Sequence, residues 1–138
     1  MIPLYLNLPN FELKSVENFV YPVVKGGFYP ENFGEPFLPK ILLEINLEFP
    51  VEEVSLSVIK TDTTNLPSYI LPSPGFIPAD GREGRLGSPE YTGEYGNFEV
   101  ISWKYFKGKL LVLISAFKYQ PDEGRLIYAK EVLSLIHI

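Results

Sequence analysis

The sequence contains no cysteine, one histidine, one tryptophan and one methionine among its 138 residues. Without cysteine, disulfides, thiolate metal sites and a cysteine nucleophile are excluded within this chain. The lone His137 lacks a second imidazole or a thiolate to share a metal, so it reads as a strand residue, and neither metal nor cofactor is expected. Basic charge is scarce: 12 Lys and Arg against 17 Asp and Glu leave a formal charge of −5. Nucleic-acid binding through phosphates needs a basic face, so no nucleic-acid partner is expected. Long apolar runs are missing too. None approaches the roughly 20 residues of a membrane span, so no membrane insertion is expected. The opening Met1-Ile2-Pro3-Leu4-Tyr5-Leu6 shows no basic n-region and no small-residue cleavage site, so it is not expected to be a signal peptide.

Helix signals are equally sparse. Of the 13 prolines, all but Pro121 fall within the first ninety residues, and each would break a helix interior at a cost of ~3 kcal/mol. The proline-poor windows carry β-branched and aromatic residues instead of Ala, Leu and Glu at helical spacing. The expectation is an all-β chain forming one domain over residues 1–138. Its architecture is an antiparallel, jelly-roll-like β-sandwich of two packed sheets with one long glycine-rich loop.

The clearest alternation runs from 97 to 138, as three strands over residues 98–106, 109–117 and 126–138. Lys107-Gly108 suits a two-residue hairpin, and Pro121 with Gly124 suits a four-residue turn. Upstream, residues 10–15, 18–25, 40–47 and 51–60 read as strands. Ile41-Leu42-Leu43 suggests burial on both faces, and 61–65 reads as a polar turn. Phe28, Tyr29 and Phe33 read as rings plugging one end of the core. Residues 66–74, with three prolines, are extended and at most an edge strand. Ile101, Trp103 and Tyr105 share one strand face, with Trp103 in the core or half-buried.

Composition changes sharply over 75–96, which holds six of the eleven glycines and two of the three arginines, Arg82 and Arg85. A stretch this long without secondary structure is expected as a flexible loop, functional or merely solvated. Its acidic Asp80, Glu83, Glu90 and Glu94 match no calcium-loop spacing. Tyr91 and Tyr95 are its candidates for exposed rings, the kind a sugar-binding sandwich would present. No Ser/His/Asp arrangement, phosphate-binding glycine loop or paired-carboxylate pattern appears, so no catalytic residue is expected and the chain does not read as an enzyme.

Two segments carry a resemblance. Gly34-Glu35-Pro36-Phe37-Leu38-Pro39 leads stiffly into an aliphatic strand, because each proline forces the residue before it into extended conformation. It resembles the Gly-x-Pro-x-Leu-Pro entry of the propeptides of the gingipain family of cysteine peptidases. Residues 109–138 look like the same domain's ending, with Tyr119, Pro121, Gly124 and Leu126 in a Tyr-x-Pro-x-x-Gly-x-Leu turn. The proline-rich 69–74 segment lies between them in the expected order. The structural motif is thus Gly34, Pro36, Leu38, Pro39, Tyr119, Pro121, Gly124 and Leu126.

The resemblance implies a β-sandwich prodomain, secreted or at the cell surface. It would assist folding of a cognate cysteine peptidase domain, in cis or in trans, and block its active site. In that family a basic residue on a long loop occupies the peptidase's specificity pocket. Arg82 and Arg85 match that description by residue type and loop context. The alternatives are a carbohydrate- or protein-binding sandwich and a structural module of a secreted multidomain protein.

Overall fold

The computed structural model describes residues 2–29, 34–72 and 91–138. In chain order its strands are β1 (Ile2–Asn7), β2 (Phe11–Val16), β3 (Phe19–Val24), β4 (Gly27–Phe28) and β5 (Lys40–Asn46). They continue as β6 (Glu53–Asn65), β7 (Glu99–Phe106), β8 (Lys109–Ser115), β9 (Phe117–Gln120) and β10 (Arg125–His137). The described residues contain no helix, and none is therefore long and apolar enough to cross a membrane. The chain is all-β, as its composition indicated.

β10 is the centre. It pairs antiparallel with β6 along its length, while its other edge is shared by β9 at one end and β1 at the other. A second four-stranded antiparallel sheet runs in the order β4-β5-β8-β7. The two sheets pack over one apolar cluster. Ile41, Leu110, Val112 and Ile114 come from one side, and Val54, Leu126, Tyr128, Val132 and Ile136 from the other. Period-two alternation produces this directly, because every second side chain of β8 and β10 points inward. β2 and β3 form a separate two-stranded hairpin, so two sheets of a sandwich were expected and a third small one accompanies them.

The turns follow the residues that make them. Lys107 and Gly108 both have positive φ, 46° and 80°, the combination that a type I′ hairpin requires. Gly124, at φ 62°, ends the 121–124 turn and donates its N–H to the Pro121 carbonyl at 3.2 Å.

Several expectations need correction. The run 109–117 is not one strand: β8 ends at Ser115, Ala116 is fully buried, and Phe117 begins β9 in the opposite sheet. Ala116 lets the chain cross between sheets, and its carbonyl accepts the Ala129 N–H at 2.9 Å, so the crossing leaves that acceptor satisfied. The polar 61–65 segment is no turn but the end of β6, paired through its β-branched threonines with residues 125–129 of β10. Leu42 is 37% exposed beside Ile41 at 1%, so β5 alternates and its outer face is open to solvent. A bulge between Val100 and Ser102 displaces Ile101 outward. Trp103 and Tyr105 pack on the core together with Val100 instead. Phe28 is exposed and plugs nothing, while Tyr29 stacks on Phe37 at 4.1 Å; residue 33 lies outside the described residues. β1, which was not expected, fits an edge strand that tolerates Pro3.

Candidate functional site

Arg82 and Arg85, together with most of the glycine-rich stretch, lie outside the described residues, which stop at Pro72 and resume at Tyr91. The structure describes the two roots from which that stretch departs. Among the described residues, both roots are held by backbone and side-chain hydrogen bonds outside the strands.

The first root is the segment 69–72. It belongs to no strand, yet every backbone group from the Tyr69 carbonyl to the Leu71 carbonyl has a partner. Val20 of β3 donates its N–H to the Tyr69 carbonyl at 3.1 Å, and its carbonyl accepts the Leu71 N–H at 2.9 Å. Ile70 N–H donates to the Tyr119 hydroxyl at 3.2 Å, and the Tyr91 hydroxyl donates to the Ile70 carbonyl at 2.9 Å. Phe37 N–H donates to the Leu71 carbonyl at 2.8 Å. Prolines at 67 and 72 limit what a ladder could do here, and side-chain hydroxyls fill the gap. Ile70 itself is fully buried.

The second root is the segment 91–96. Tyr91 is buried, with its ring edge-on to Tyr119 at 5.6 Å and to Tyr95 at 5.4 Å. Tyr95 and Tyr119 exchange backbone hydrogen bonds of 2.9 and 2.7 Å. Thr92 N–H donates to the Tyr95 hydroxyl at 3.1 Å. Gly96, at φ +84°, lies so close to β9 that a Cβ there would stand 2.2 Å from the Phe117 carbonyl oxygen. Outside the rings, Gln120 donates its amide to Glu94 at 3.0 Å. The expectation of exposed rings at Tyr91 and Tyr95 is therefore overturned: Tyr91 is core, and Tyr95 is half-buried against it.

Burial raises the Tyr91 hydroxyl well above the usual tyrosine range, helped by the neighbouring Tyr119 and Tyr95. Tyr119 is raised by burial too, with the Ile70 N–H pulling the other way. Both hydroxyls are thus neutral at ordinary pH, and Tyr91 keeps the proton that it donates to Ile70.

The two sequence motifs meet at the first root. Gly34 takes the left-handed φ of 81°, Pro36 forms a bridge with Pro72, and Phe37 holds Leu71. Pro36 and Pro39 are buried, and Leu38 is half-buried against the core. From the other motif, Tyr119 reaches Ile70, while Pro121, Gly124 and the buried Leu126 build the turn that orients β9 and β10. Leu66 N–H donates to the Gly124 carbonyl at 2.7 Å, tying that turn to the chain just before the first root. Sequence reasoning missed Ile70 and placed Tyr91 at the surface, where the structure buries it. The available signal was a lone β-branched residue between prolines and a tyrosine at the end of a glycine-rich run.

Among the described residues, no group of three or more His, Cys, Asp or Glu side chains is placed to hold a metal ion. Trp103 lies half-buried against the core.

No protein-family model matches the sequence, and no curated protein matches it. Solved structures do. The chain is similar to one from the complex of the pro- and mature domains of RgpB from Porphyromonas gingivalis, with a TM-score of 0.62 at 13% identity, covering 96% of this chain and 76% of that one. It is equally similar to a chain from a structure addressing the zymogenic latency of gingipain K from the same organism. There the TM-score is 0.62 at 14% identity, covering 98% of this chain and 85% of that one. The fold is that of gingipain propeptide-like domains, in agreement with the two-motif resemblance.

Proposed function

We propose that this chain is the prodomain of a gingipain-like cysteine peptidase: a non-catalytic domain that helps the peptidase fold and blocks its active-site cleft. The observation that carries this reading is the fold shared with the gingipain structures over nearly the whole chain. The partner is a cognate cysteine peptidase domain, in cis or in trans, and the setting is outside the cell or at its surface.

The blocking residue is Arg82 or Arg85. Three features support this. Both arginines sit among glycines, which allow close backbone approach to a partner. The chain is otherwise acidic, so an arginine pair there is not part of a general basic surface. A guanidinium pairs bidentately with a carboxylate at the base of a pocket, which lysine's point charge cannot imitate.

The test is inhibition of the cognate enzyme, or of an arginine-specific gingipain-type enzyme, by the full chain. The expected result is inhibition by the parent chain, weakened at least about 100-fold, or ~2.8 kcal/mol, in the double variant Arg82→Ala, Arg85→Ala. An unaltered inhibition constant in that variant would remove the arginines from the role. No inhibition by the parent chain would remove the role itself.

A further inference from the structure

The sheet β4-β5-β8-β7 turns an apolar strip outward. Alternation sends Leu110, Val112 and Ile114 of β8 into the core, so Leu111 and Leu113 point the other way and stay half-buried on the outer face. Beside them Leu42 of β5 is 37% exposed, and Ile101 of β7 is 38% exposed. Register lines this face up in rows that run across the three strands. Lys40, Ser115 and Glu99 form the first row, and Leu42, Leu113 and Ser102 the second. Glu44, Leu111 and Lys104 form the third, and Asn46, Lys109 and Phe106 the last.

Charge is distributed over these rows with a symmetry of its own. β8 carries leucines along the middle, while β5 and β7 carry opposite charges at matching positions, Lys40 against Glu99 and Glu44 against Lys104. Neighbouring strands lie ~4.8 Å apart, so each such pair is about 10 Å apart with a β8 side chain between its members. Among the described residues, Lys40, Glu99 and Lys104 enter no ion pair, and Glu44 approaches Lys109 at 3.7 Å with both side chains more than half exposed. Lys104 leans over the Phe106 ring at 6.0 Å, which keeps its ammonium on this face.

A two-fold axis laid along β8, between two copies packed face to face, exchanges β5 with β7. Lys40 then lies over Glu99 of the second copy, Glu44 over its Lys104, and Leu111 and Leu113 over their own counterparts. Sheets that pack face to face are ~10 Å apart, a gap that a lysine and a glutamate span between them. Lys109 meets its own copy only at the end of the seam, where it leans towards Glu44. The outer face of the other sheet fails the same test. Across β10, Pro3 and Tyr5 share rows with Ser55 and Ser57, and no opposite charges face each other.

We propose that the outer face of β5, β8 and β7 is a self-complementary interface through which two copies of this chain form a two-fold dimer. The leucine seam supplies the apolar contact, and the flanking charges set the register by penalising displaced pairings. Strand spacing and rise make the patch roughly 14 by 24 Å, which is small for a specific interface. Association is therefore weak, with a dissociation constant on the order of 10 μM. The dimer does not depend on the prodomain reading.

The test is sedimentation equilibrium of the full chain at concentrations on both sides of that value, where a reversible monomer–dimer equilibrium is expected. Glu44→Lys sets lysine against lysine at the paired positions, and Lys104→Glu sets glutamate against glutamate. Each variant alone should dimerise at least about tenfold more weakly than the parent. Mixed in equal amounts, the two place a lysine opposite a glutamate at every one of these contacts, and the mixture should return to within about threefold of the parent. A parent that stays monomeric at about 1 mM overturns the proposal. So do single variants that dimerise like the parent, or a mixture that associates no better than its components. A monomeric parent whose Glu44→Lys variant instead loses inhibition of a peptidase assigns the face to that enzyme and overturns the dimer. A dimeric parent that inhibits no peptidase removes the prodomain reading and leaves the dimer standing.

Discussion

The β10-centred sheet and the cluster around Ile70 meet the same demand by different means. Both bury backbone, and buried N–H and C=O groups must be paired. β10 pairs by ladders to β6, β9 and β1, with a bulge around residues 129–131 against β6, so the responsibility is spread over many equivalent bonds. Ile70 is equally buried, but its N–H and carbonyl each depend on one tyrosine hydroxyl. A ladder is insensitive to side-chain identity, whereas a hydroxyl clamp is written in two residues and can be removed by two atoms. Regular structure is the robust solution, and the irregular one can be tuned.

The sharpest way to break this comparison is at Gly96, where the second root touches β9. Gly96→Ala places a Cβ 2.2 Å from the Phe117 oxygen on a backbone at φ +84°. It should cost at least about 3 kcal/mol, adding steric displacement to left-handed strain. Urea unfolding measures this, and a loss below about 1 kcal/mol would mean that the root does not seat on β9 as described.

Next in size is a matched pair, Ile70→Ala and Leu126→Ala, both at fully buried positions. Each should lose about 2–5 kcal/mol. Equal losses would show that the two regions differ in hydrogen bonding and not in packing. A clearly smaller loss at Ile70 would show that the cluster is looser than the sheet.

Alkaline pH probes the buried hydroxyls of both regions. Burial pushes Tyr128 up to about 12 from the ordinary 10.0, and Tyr91 and Tyr119 move in the same direction. The folded state thus keeps protons that the unfolded chain releases near pH 10. Their stabilisation is complete below about pH 10 and is lost progressively above it, the share from Tyr128 as pH rises through about 12. The urea midpoint should fall across that window, and fall less in Tyr128→Phe. A midpoint independent of pH there would contradict the burial account.

The smallest effect is expected at the surface. Lys109 and Glu44 approach to 3.7 Å with both side chains more than half exposed. Lys109→Met should change stability by no more than about 0.5 kcal/mol, and a larger loss would mark a role that the geometry does not contain.

The regular region was largely legible in the sequence. Alternation with Lys107-Gly108 and the 121–124 turn locates β7, β8 and β10, because period two is set by a strand's own geometry. The failures lie where a partner decides. Residues 61–65 are polar and look like a turn until β10 supplies a ladder for them. Nothing in the run 109–117 marks the change of sheet at Ala116, because a small apolar residue looks the same in a strand and at a crossing. Tyr91 and Tyr95 lie in the glycine-rich stretch, and the sequence does not show that Ile70, more than twenty residues away, offers a carbonyl to the first of them. The two resemblance motifs were visible, but their meeting at Leu71 and Ile70 was not, since that contact is tertiary.

The crossing at Ala116 bears on how the domain comes apart. Residues 109–120 run almost without interruption through both four-stranded sheets, so one length of chain is a structural member of each. Neither sheet can peel away without dragging β8 or β9 out of register, and Ala116 and Ala129 are stitched together at the junction itself. The two halves of the sandwich therefore form one cooperative unit rather than separable foldons. Amides of Ile114 in one sheet and Leu126 in the other should exchange through the same global opening, leaving no half-open species in which only one sheet is undone.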